Sequence, residues 1–175
     1  ISCLAIAEAQ RVEPEKENCI IDLEHSFNPG WAKTLGVDTD KLLITQPDTY
    51  AEKVWEMVEY LLQTKKFAYI VIDSLAGMIS KDELEQDDWT KDSRVGGNSK
   101  LNAKDIRKIV NSGLLTSSGT TLVMINQLRD KIGAFSMYGT PTDSPGGRSL
   151  KHAYTQMLDV SIGEYFTKGS GRDKD

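Results

Sequence analysis

The chain has 175 residues, of which 39% are hydrophobic and 27% charged, so it is long and apolar enough to bury a core within one domain. Its net charge is −5, from 21 basic and 26 acidic residues, which excludes a basic nucleic-acid footprint spread over the whole surface. No apolar run approaches the roughly 18 residues of a membrane span, and two isolated cysteines make no disulfide framework, so we expect a cytoplasmic protein without a membrane partner.

The first third of the chain alternates between helix and strand patterns. Residues 1–12 are rich in alanine and predict a helix packed closely on a neighbour. The run NCIID at 18–22 is short, apolar and β-branched, and predicts a buried strand. In the segment FNPGWAKTLGV, Pro29 can open a short helix and Gly36 can close it.

The alternation continues through the middle of the chain. KLLITQ at 41–46 predicts a second strand, and the apolar spacing over 49–64 predicts an amphipathic helix capped by Asp48 or Thr49. AYIVID at 68–73 predicts a third strand. Because this strand is apolar on both faces, it is typical of a parallel sheet covered by helices.

The second half repeats the pattern. Residues 98–116 have a helical period, and TTLVMIN at 120–126 predicts a fourth strand. A helix around 149–156 is predicted to precede a fifth strand, MLDVSI, at 157–162. Strands that alternate with helices predict an α/β fold, with a mainly parallel twisted sheet flanked by helices over 1–175.

Polar side chains follow four of the predicted strands. The strand ends are Asp22-Leu23-Glu24, Thr45-Gln46, Asp73-Ser74 and Asn126-Gln127. Ligands of open α/β sheets bind beyond the carboxyl ends of the strands. We therefore expect the amides of Asn126 and Gln127 to face a polar ligand that this edge shares.

Each edge residue has a functional and an ordinary interpretation. Asp73, in YIVIDS, could hold Mg²⁺ as in the second nucleotide motif of P-loop ATPases, or could simply begin a turn. Glu24 could deprotonate a water for attack on a γ-phosphate, or could be a solvated loop acid. Gln127 could bond a γ-phosphate and report it to the following loop, or could cap a strand. Trp31 could stack on a nucleobase, or could belong to the core or an interface.

The first nucleotide motif, G-x-x-x-x-G-K-[ST], is missing, since the chain has no Gly-Lys dipeptide. The chain opens at Ile1 in the middle of a helical pattern. We therefore expect a fragment, whose missing nucleotide motif could lie immediately upstream.

Two long segments have little regular pattern. Residues 83–100 and 128–151 contain glycines, and such loops in a compact domain are usually functional or disordered. The second segment interleaves basic residues with Phe135 and Tyr138. Basic groups can meet phosphates while an aromatic side chain enters between bases, so this segment predicts a DNA contact or, alternatively, a mobile surface.

Together these stretches resemble the RecA family of recombinases, of bacterial or phage type. The motifs IDLEH, QPDT, VIDS and INQLR-x-KIG occur in the family's order, and the resemblance covers nearly the whole chain. It implies a RecA-like P-loop ATPase core that uses ATP and Mg²⁺. In that alignment Ile1 follows directly after the P-loop, so the resemblance implies a fragment with the phosphate cradle and the terminal domains outside it. It also implies a homo-oligomeric helical filament on single-stranded DNA, which exchanges strands with homologous double-stranded DNA.

The resemblance assigns roles to the residues at the predicted sheet edge. Glu24 matches the family's catalytic glutamate, and Gln127 matches the glutamine that senses the γ-phosphate. Asp73 matches the Mg²⁺-linked aspartate, and Ser74 and Asn126 are expected beside the nucleotide.

On the base side, Trp31 stands where the family has a tyrosine against adenine. Asn28 stands where it has an aspartate that contacts the base. Both substitutions keep the chemistry, because an indole still stacks and an amide still forms hydrogen bonds.

Residues 83–100 and 128–147 match the family's two DNA-contacting loops. The candidate DNA-binding residues are Arg94, Gly96, Lys100, Arg107, Arg129, Lys131, Phe135, Tyr138, Gly146 and Gly147. Lys100 replaces the usual arginine, which keeps a phosphate contact but loses the bidentate fork. Both loops are a few residues longer than the usual bacterial pattern, so the choice between Phe135 and Tyr138 as the inserting side chain stays open.

Two other function classes fit parts of the sequence. One is a different motor with the same core, such as a helicase or a circadian-type ATPase, against which the segment from KIGAF to GGRSLK argues. The other is a non-catalytic adaptor that decorates a filament. Retention of Glu24, Asp73 and Gln127 argues against that class, whereas the missing P-loop leaves it open.

Overall fold

A parallel sheet flanked by helices forms the centre of the computed structural model. The structure describes residues 1–85, 97–127, 129–130, 142–143 and 153–161. The central strands are β1 (Glu17–Asp22), β2 (Leu42–Thr45), β3 (Phe67–Asp73) and β4 (Thr121–Met124). The helices are α1 (Ser2–Val12), α2 (Pro29–Thr34), α3 (Ala51–Thr64), α4 (Lys81–Leu84), α5 (Gly97–Asn111) and α6 (Leu114–Ser118), with 3₁₀ turns over Thr39–Lys41 and Leu75–Gly77. The predicted α/β fold is confirmed.

The strand order is β2-β1-β3-β4, and every neighbouring pair is parallel. In this register Ile20 lies opposite Ile44 on one side and Val71 on the other, and Asp22 lies opposite Asp73. The chain moves outward from β1 to β2 and outward in the opposite direction from β3 to β4. The carboxyl ends of β1 and β3 therefore flank the point where the strand order reverses, which is where open α/β sheets bind ligands.

Alternate side chains of β1 and β3 enter two hydrophobic cores, one on each face of the sheet. On one face Ile21 and Ile72 pack with residues of α3 and α5, and burying each such side chain contributes about 1.5–3 kcal/mol. Trp55 on α3 donates its indole N–H to Asn102 Oδ1 on α5 at 3.0 Å, so this polar pair is satisfied inside the core. On the other face Ile6 of α1 packs with a smaller cluster that includes Val71.

The short helix α2 follows local sequence rules. Pro29 occupies its first turn, where a missing N–H costs nothing, and the Asn28 side chain caps it by accepting from the Trp31 N–H at 2.9 Å. Gly36 follows the helix with φ +92°, in the left-handed region that glycine adopts freely. The predicted boundaries at Pro29 and Gly36 are confirmed.

The predicted caps of α3 are wrong. This helix begins after Tyr50, which makes no side-chain cap, and neither Asp48 nor Thr49 holds that position. The Ala51 N–H instead donates to the carbonyl of Ile79 at 2.7 Å. A tertiary contact thus satisfies a donor that a local side chain was expected to satisfy.

The second half departs further from the sequence pattern. The helix predicted over 98–116 is divided into α5 and α6 at Gly113, whose φ of +70° lies in the left-handed region. The strand predicted over 120–126 ends at Met124. The backbone of Ile125 then joins β3, because its N–H donates to the Ile72 carbonyl at 3.0 Å.

The fifth strand predicted at 157–162 is wrong over its described residues. Residues 157–161 are irregular, and Met157, Leu158 and Val160 are exposed. Residues 153–156 are not helical either. An alternating pattern forms a strand only when a neighbouring strand pairs with it, and no strand in the described ranges does so here.

The two predicted loops contain regular structure. Residues 97–100 belong to α5, so Lys100 lies in a helix rather than in a loop. Arg129–Asp130 (β5) pairs antiparallel with Thr142–Asp143 (β6). Arg94, Gly96, Lys131, Phe135, Tyr138, Gly146 and Gly147 lie outside the described residues.

Two observations bear on the environment predicted for the chain. Both cysteines are free, as expected, and Cys19 is buried in β1. Across the described residues no helix combines the length and apolar character needed to cross a bilayer.

Candidate functional site

The carboxyl ends of β1 and β3 bring three acidic side chains to one edge of the sheet. Asp22 and Asp73 end neighbouring strands in register, and Glu24 lies two residues beyond Asp22. The Leu23 N–H donates to the Asp73 carbonyl at 2.6 Å, which extends the β1–β3 pairing by one residue. Glu24 therefore leaves the sheet beside Ser74.

Glu24 joins three strand ends through one carboxylate oxygen. Its Oε1 accepts from the hydroxyl of the buried Ser74 and from Gln127 Nε2, the latter at 3.3 Å. Asn126 Oδ1 accepts from the Gln127 N–H at 3.0 Å and so orients the backbone that carries this amide. Residues that the sequence placed at one edge on pattern alone are thus in direct contact.

Asp22 is buried, with 1% of its surface exposed, and both of its carboxylate oxygens are occupied. Oδ1 accepts from the Ser26 N–H at 3.2 Å, and Oδ2 accepts from the Phe27 N–H at 2.9 Å and from Gln46 Nε2 at 2.8 Å. Burial favours a raised pKa, but the hydrogen bonds from Gln46 and the backbone outweigh it and hold the pKa of Asp22 below its ordinary value. Asp22 is therefore ionised at neutral pH.

The turn that Asp22 closes has a strained backbone. His25 adopts φ +53°, in the left-handed region, which costs a residue with a Cβ about 1–2 kcal/mol. The sequence placed Asp22 and Gln46 at the sheet edge but gave them no function. The available signal was that both polar residues end neighbouring parallel strands.

Asp73 lies in a negative electrostatic field. Burial raises the pKa of its carboxyl group, and the charges of Glu24 and then Asp22 raise it further. No lysine or arginine among the described residues forms an ion pair with any of the three carboxylates. Within the described ranges, the charges of these three carboxylates are therefore not balanced by a basic side chain.

The carboxylates at this edge suit a hard divalent cation whose remaining ligands are waters or phosphate oxygens. In the described part of the chain, no group of three or more His, Cys, Asp or Glu side chains is spaced to hold a metal ion. Mg²⁺ is usually bound through one or two carboxylates, with waters and substrate phosphates completing its shell. Asp73 fits that partial role.

Replacing Asp73 with asparagine is expected to stabilise the fold at neutral pH when no divalent cation is present. Because the folded state raises this pKa, it binds the proton more tightly than the unfolded state, and stability falls as the pH rises through the raised pKa. Asparagine removes the charge and keeps the shape. Thermal unfolding of the full-length protein in EDTA should show Tm higher by a few degrees.

The matched control is Asp40→Asn, at an exposed carboxylate in the 3₁₀ turn that precedes the amino end of β2. It should leave Tm unchanged. A lower Tm for Asp73→Asn would show that the charge at position 73 is stabilising and would contradict the repulsion described above.

The predicted base-binding residues lie at the start of α2. Asn28 uses its Oδ1 to cap the helix, while its Nδ2 has no partner among the described residues and can donate to a ligand. Trp31 is 61% exposed, so its indole face is available for stacking. Both residues follow directly from the turn that Asp22 closes.

The predicted DNA-binding residues are described only in part. Arg107 is exposed on α5, and its Nε donates to the Ala103 carbonyl of the same helix at 3.0 Å. The backbone of Arg129 begins β5, two residues after Gln127. No described contact joins Arg107 to the three acidic side chains.

Comparison with known proteins decides the family. A family model of the RecA N-terminal domain matches residues 1–171. The chain belongs to the RecA family. The resemblance carried by IDLEH, QPDT, VIDS and INQLR is thereby confirmed.

Several bacterial relatives share the RecA sequence over most of this chain. Protein RecA of Mesomycoplasma hyopneumoniae (strain 7448) is 39% identical over 170 residues, which cover 97% of this chain and 48% of that protein. Protein RecA of Mycobacterium ulcerans (strain Agy99) is 44% identical over 140 residues, 80% of this chain and 38% of that protein. Protein RecA of Acidothermus cellulolyticus is 42% identical over 156 residues, 89% of this chain and 43% of that protein. This RecA-family chain thus spans half or less of the length of these relatives.

Proposed function

We propose that this RecA-family chain belongs to a DNA-dependent ATPase that forms filaments on single-stranded DNA. In this proposal the filament pairs that strand with homologous double-stranded DNA and exchanges strands, in cytoplasmic recombination and repair. The observation that carries the proposal is the contact of Glu24 with Ser74 and Gln127. It unites a carboxylate base, a hydroxyl that orients it and an amide that can report on a phosphate.

Glu24 is the base in this proposal. Its exposed carboxylate accepts a proton from a water molecule as the water oxygen attacks the γ-phosphorus of ATP, and ADP leaves from the opposite side. The buried Ser74 hydroxyl holds one oxygen of that carboxylate, so the other oxygen, for which no hydrogen bond is seen in the described residues, faces the water. Asp73 would hold Mg²⁺, directly or through water, and the ion would neutralise phosphate charge.

Asn28 and Trp31 hold the base of the nucleotide in this proposal. The exposed Trp31 indole stacks on adenine, and the Asn28 Nδ2 group donates to a base acceptor. These two residues lie at one end of the loop that carries Glu24. One segment of chain therefore both binds the adenine base and places the carboxylate that acts at the reacting phosphate.

Gln127 couples the nucleotide to DNA in this proposal. A γ-phosphate attracts the Gln127 amide away from Glu24, and the movement passes through one residue, at position 128, to β5. The segment 128–147 then contacts DNA through Arg129, Lys131, Phe135 or Tyr138, and the glycine pair at 146–147. The segment 83–100 contributes Arg94, Gly96 and Lys100, with Arg107 on the helix that follows.

The deciding experiment is ATP hydrolysis by the full-length protein, measured with and without single-stranded DNA. We expect strong stimulation by DNA, followed by strand exchange between a single strand and a homologous duplex. Hydrolysis that ignored DNA would favour another motor with the RecA fold, such as a helicase. An absence of hydrolysis under both conditions would favour a non-catalytic adaptor of a filament.

A further inference from the structure

We propose that Asp22 and Gln46 are positioning residues for hydrolysis. The Asp22 carboxylate, held by Gln46, fixes the turn over 22–27 in the shape that presents Glu24 to the reacting water. This inference rests on the proposed function, because it assigns Glu24 as the base. It adds two residues that act through Glu24. In this proposal they contact neither the phosphates nor the adenine base of ATP.

The hydrogen bonds of Asp22 show that it acts through the turn. Its carboxylate is almost completely buried, and its oxygens accept from the N–H groups of Ser26 and Phe27 and from the Gln46 side chain. The Asp22 carboxylate is therefore held by protein donors on both of its oxygens and is turned away from solvent. Gln46 comes from the end of β2, so the contact joins the turn after β1 to the neighbouring strand.

The strained residue explains why the turn needs this support. His25 lies between Glu24 and the two N–H groups that Asp22 binds, and its φ is +53°. Such a conformation persists only where the surrounding structure holds it. Without the Asp22 contacts His25 would relax toward negative φ, and the direction in which Glu24 leaves the sheet would change.

Helix α2 has an independent anchor, which separates positioning from nucleotide binding. Phe27 and Ala32 pack into the core on the α1 face, and Asn28 caps the helix. We therefore expect α2 to keep its place when the Asp22 contact is weakened. Weakening the Asp22 contact should therefore lower kcat and leave the affinity for ATP nearly unaltered.

The first test variant is Gln46→Glu in the full-length protein. At pH 7.5 the new carboxylate repels Asp22, and we expect kcat to fall by about tenfold or more, since small misplacements of a catalytic group have effects of this size. The Kd for ATP should stay within about threefold, consistent with the separate anchor of α2. As the pH falls toward 5.5, the new carboxyl group takes up a proton and can donate it to Asp22, so the ratio of variant to parent kcat should rise.

The second variant, Asp22→Asn, tests the other side of the contact. It places an NH₂ group against backbone N–H groups, so kcat should fall and amide hydrogen exchange should become faster over 23–28. If this buried substitution prevents folding, Gln46→Glu at an exposed side chain still tests the inference.

The matched control for Gln46→Glu is Gln10→Glu, because the Gln10 side chain also forms hydrogen bonds, to the backbone of Asp38 at the opposite edge, at 2.8 and 2.9 Å. It should keep the parent kcat at every pH.

Three results would count against the inference. If the parent hydrolyses ATP and both variants keep its kcat and pH profile, the positioning role is overturned and the proposed function stands. If both variants lose ATP binding together with kcat, the turn is part of the nucleotide fold and the positioning role is again overturned. If the parent itself does not hydrolyse ATP, the proposed function fails, and the catalytic meaning of the Asp22 contact fails with it.

Discussion

Replacing Glu24 with glutamine in the full-length protein is expected to lower kcat for ATP hydrolysis by about 10²–10⁴-fold, the usual contribution of a general base. Glutamine is nearly isosteric, and its carbonyl oxygen can still accept from the Ser74 hydroxyl and from Gln127. The geometry of the edge should therefore survive, and only the proton acceptor is lost. The affinity for ATP should stay close to that of the parent, as measured by titration with a fluorescent ATP analogue.

The control for this variant is Glu15→Gln, because Glu15 is exposed and forms no described contact with the acidic edge. It should hydrolyse ATP at the parent rate. Parent-like hydrolysis by Glu24→Gln would remove Glu24 as the base. A loss of binding equal to the loss of kcat would instead indicate that the charge of Glu24 contributes to assembling the site.

Shortening Gln127 to asparagine is expected to reduce the stimulation of ATP hydrolysis by single-stranded DNA about tenfold or more, within the range of coupling free energies between sites. The Gln127 amide contacts Glu24 at 3.3 Å, and a side chain shorter by one methylene group cannot reach it from the same backbone. Only one residue separates Gln127 from β5, so Gln127 is the link between the nucleotide and the following segment. The substitution should therefore weaken that link. The measurement is the ratio of hydrolysis rates with and without DNA.

Gln63→Asn provides the same chemical change at an exposed position on α3. It should leave the ratio unaltered. Gln127→Asn that kept full DNA stimulation would show that DNA reaches the nucleotide through another element, and the assignment of Gln127 as the sensor would have to be abandoned.

Much of the fold is predictable from the sequence because it depends on local patterns. The strand β3 is a nearly continuous apolar run and β1 has an apolar centre at Cys19–Ile21, and the structure buries both between two layers of helices. Pro29 and Gly36 mark the ends of α2 through backbone preferences that need no partner. The run at 157–162 shows the limit of this approach, since its alternation has no neighbouring strand in the described residues with which to pair.

One interior residue shows what patterns do not reveal. Asn18 is fully buried in β1, and neither of its amide atoms has a hydrogen-bond partner in the described structure. Leaving such a group unpaired costs about 1–3 kcal/mol. The sequence predicted a buried strand here correctly, but the partners of a buried polar group depend on segments distant in sequence.

Local patterns were enough to predict that polar residues end four strands at one edge, because side-chain alternation and strand direction are local properties. The contacts among those residues follow from the packing of the whole sheet. Glu24 meets Ser74 across 50 residues of sequence and Gln127 across 103, and such contacts depend on strand order and register. The same holds for Asp22 and Gln46, whose hydrogen bond exists because β1 and β2 are neighbours in the sheet.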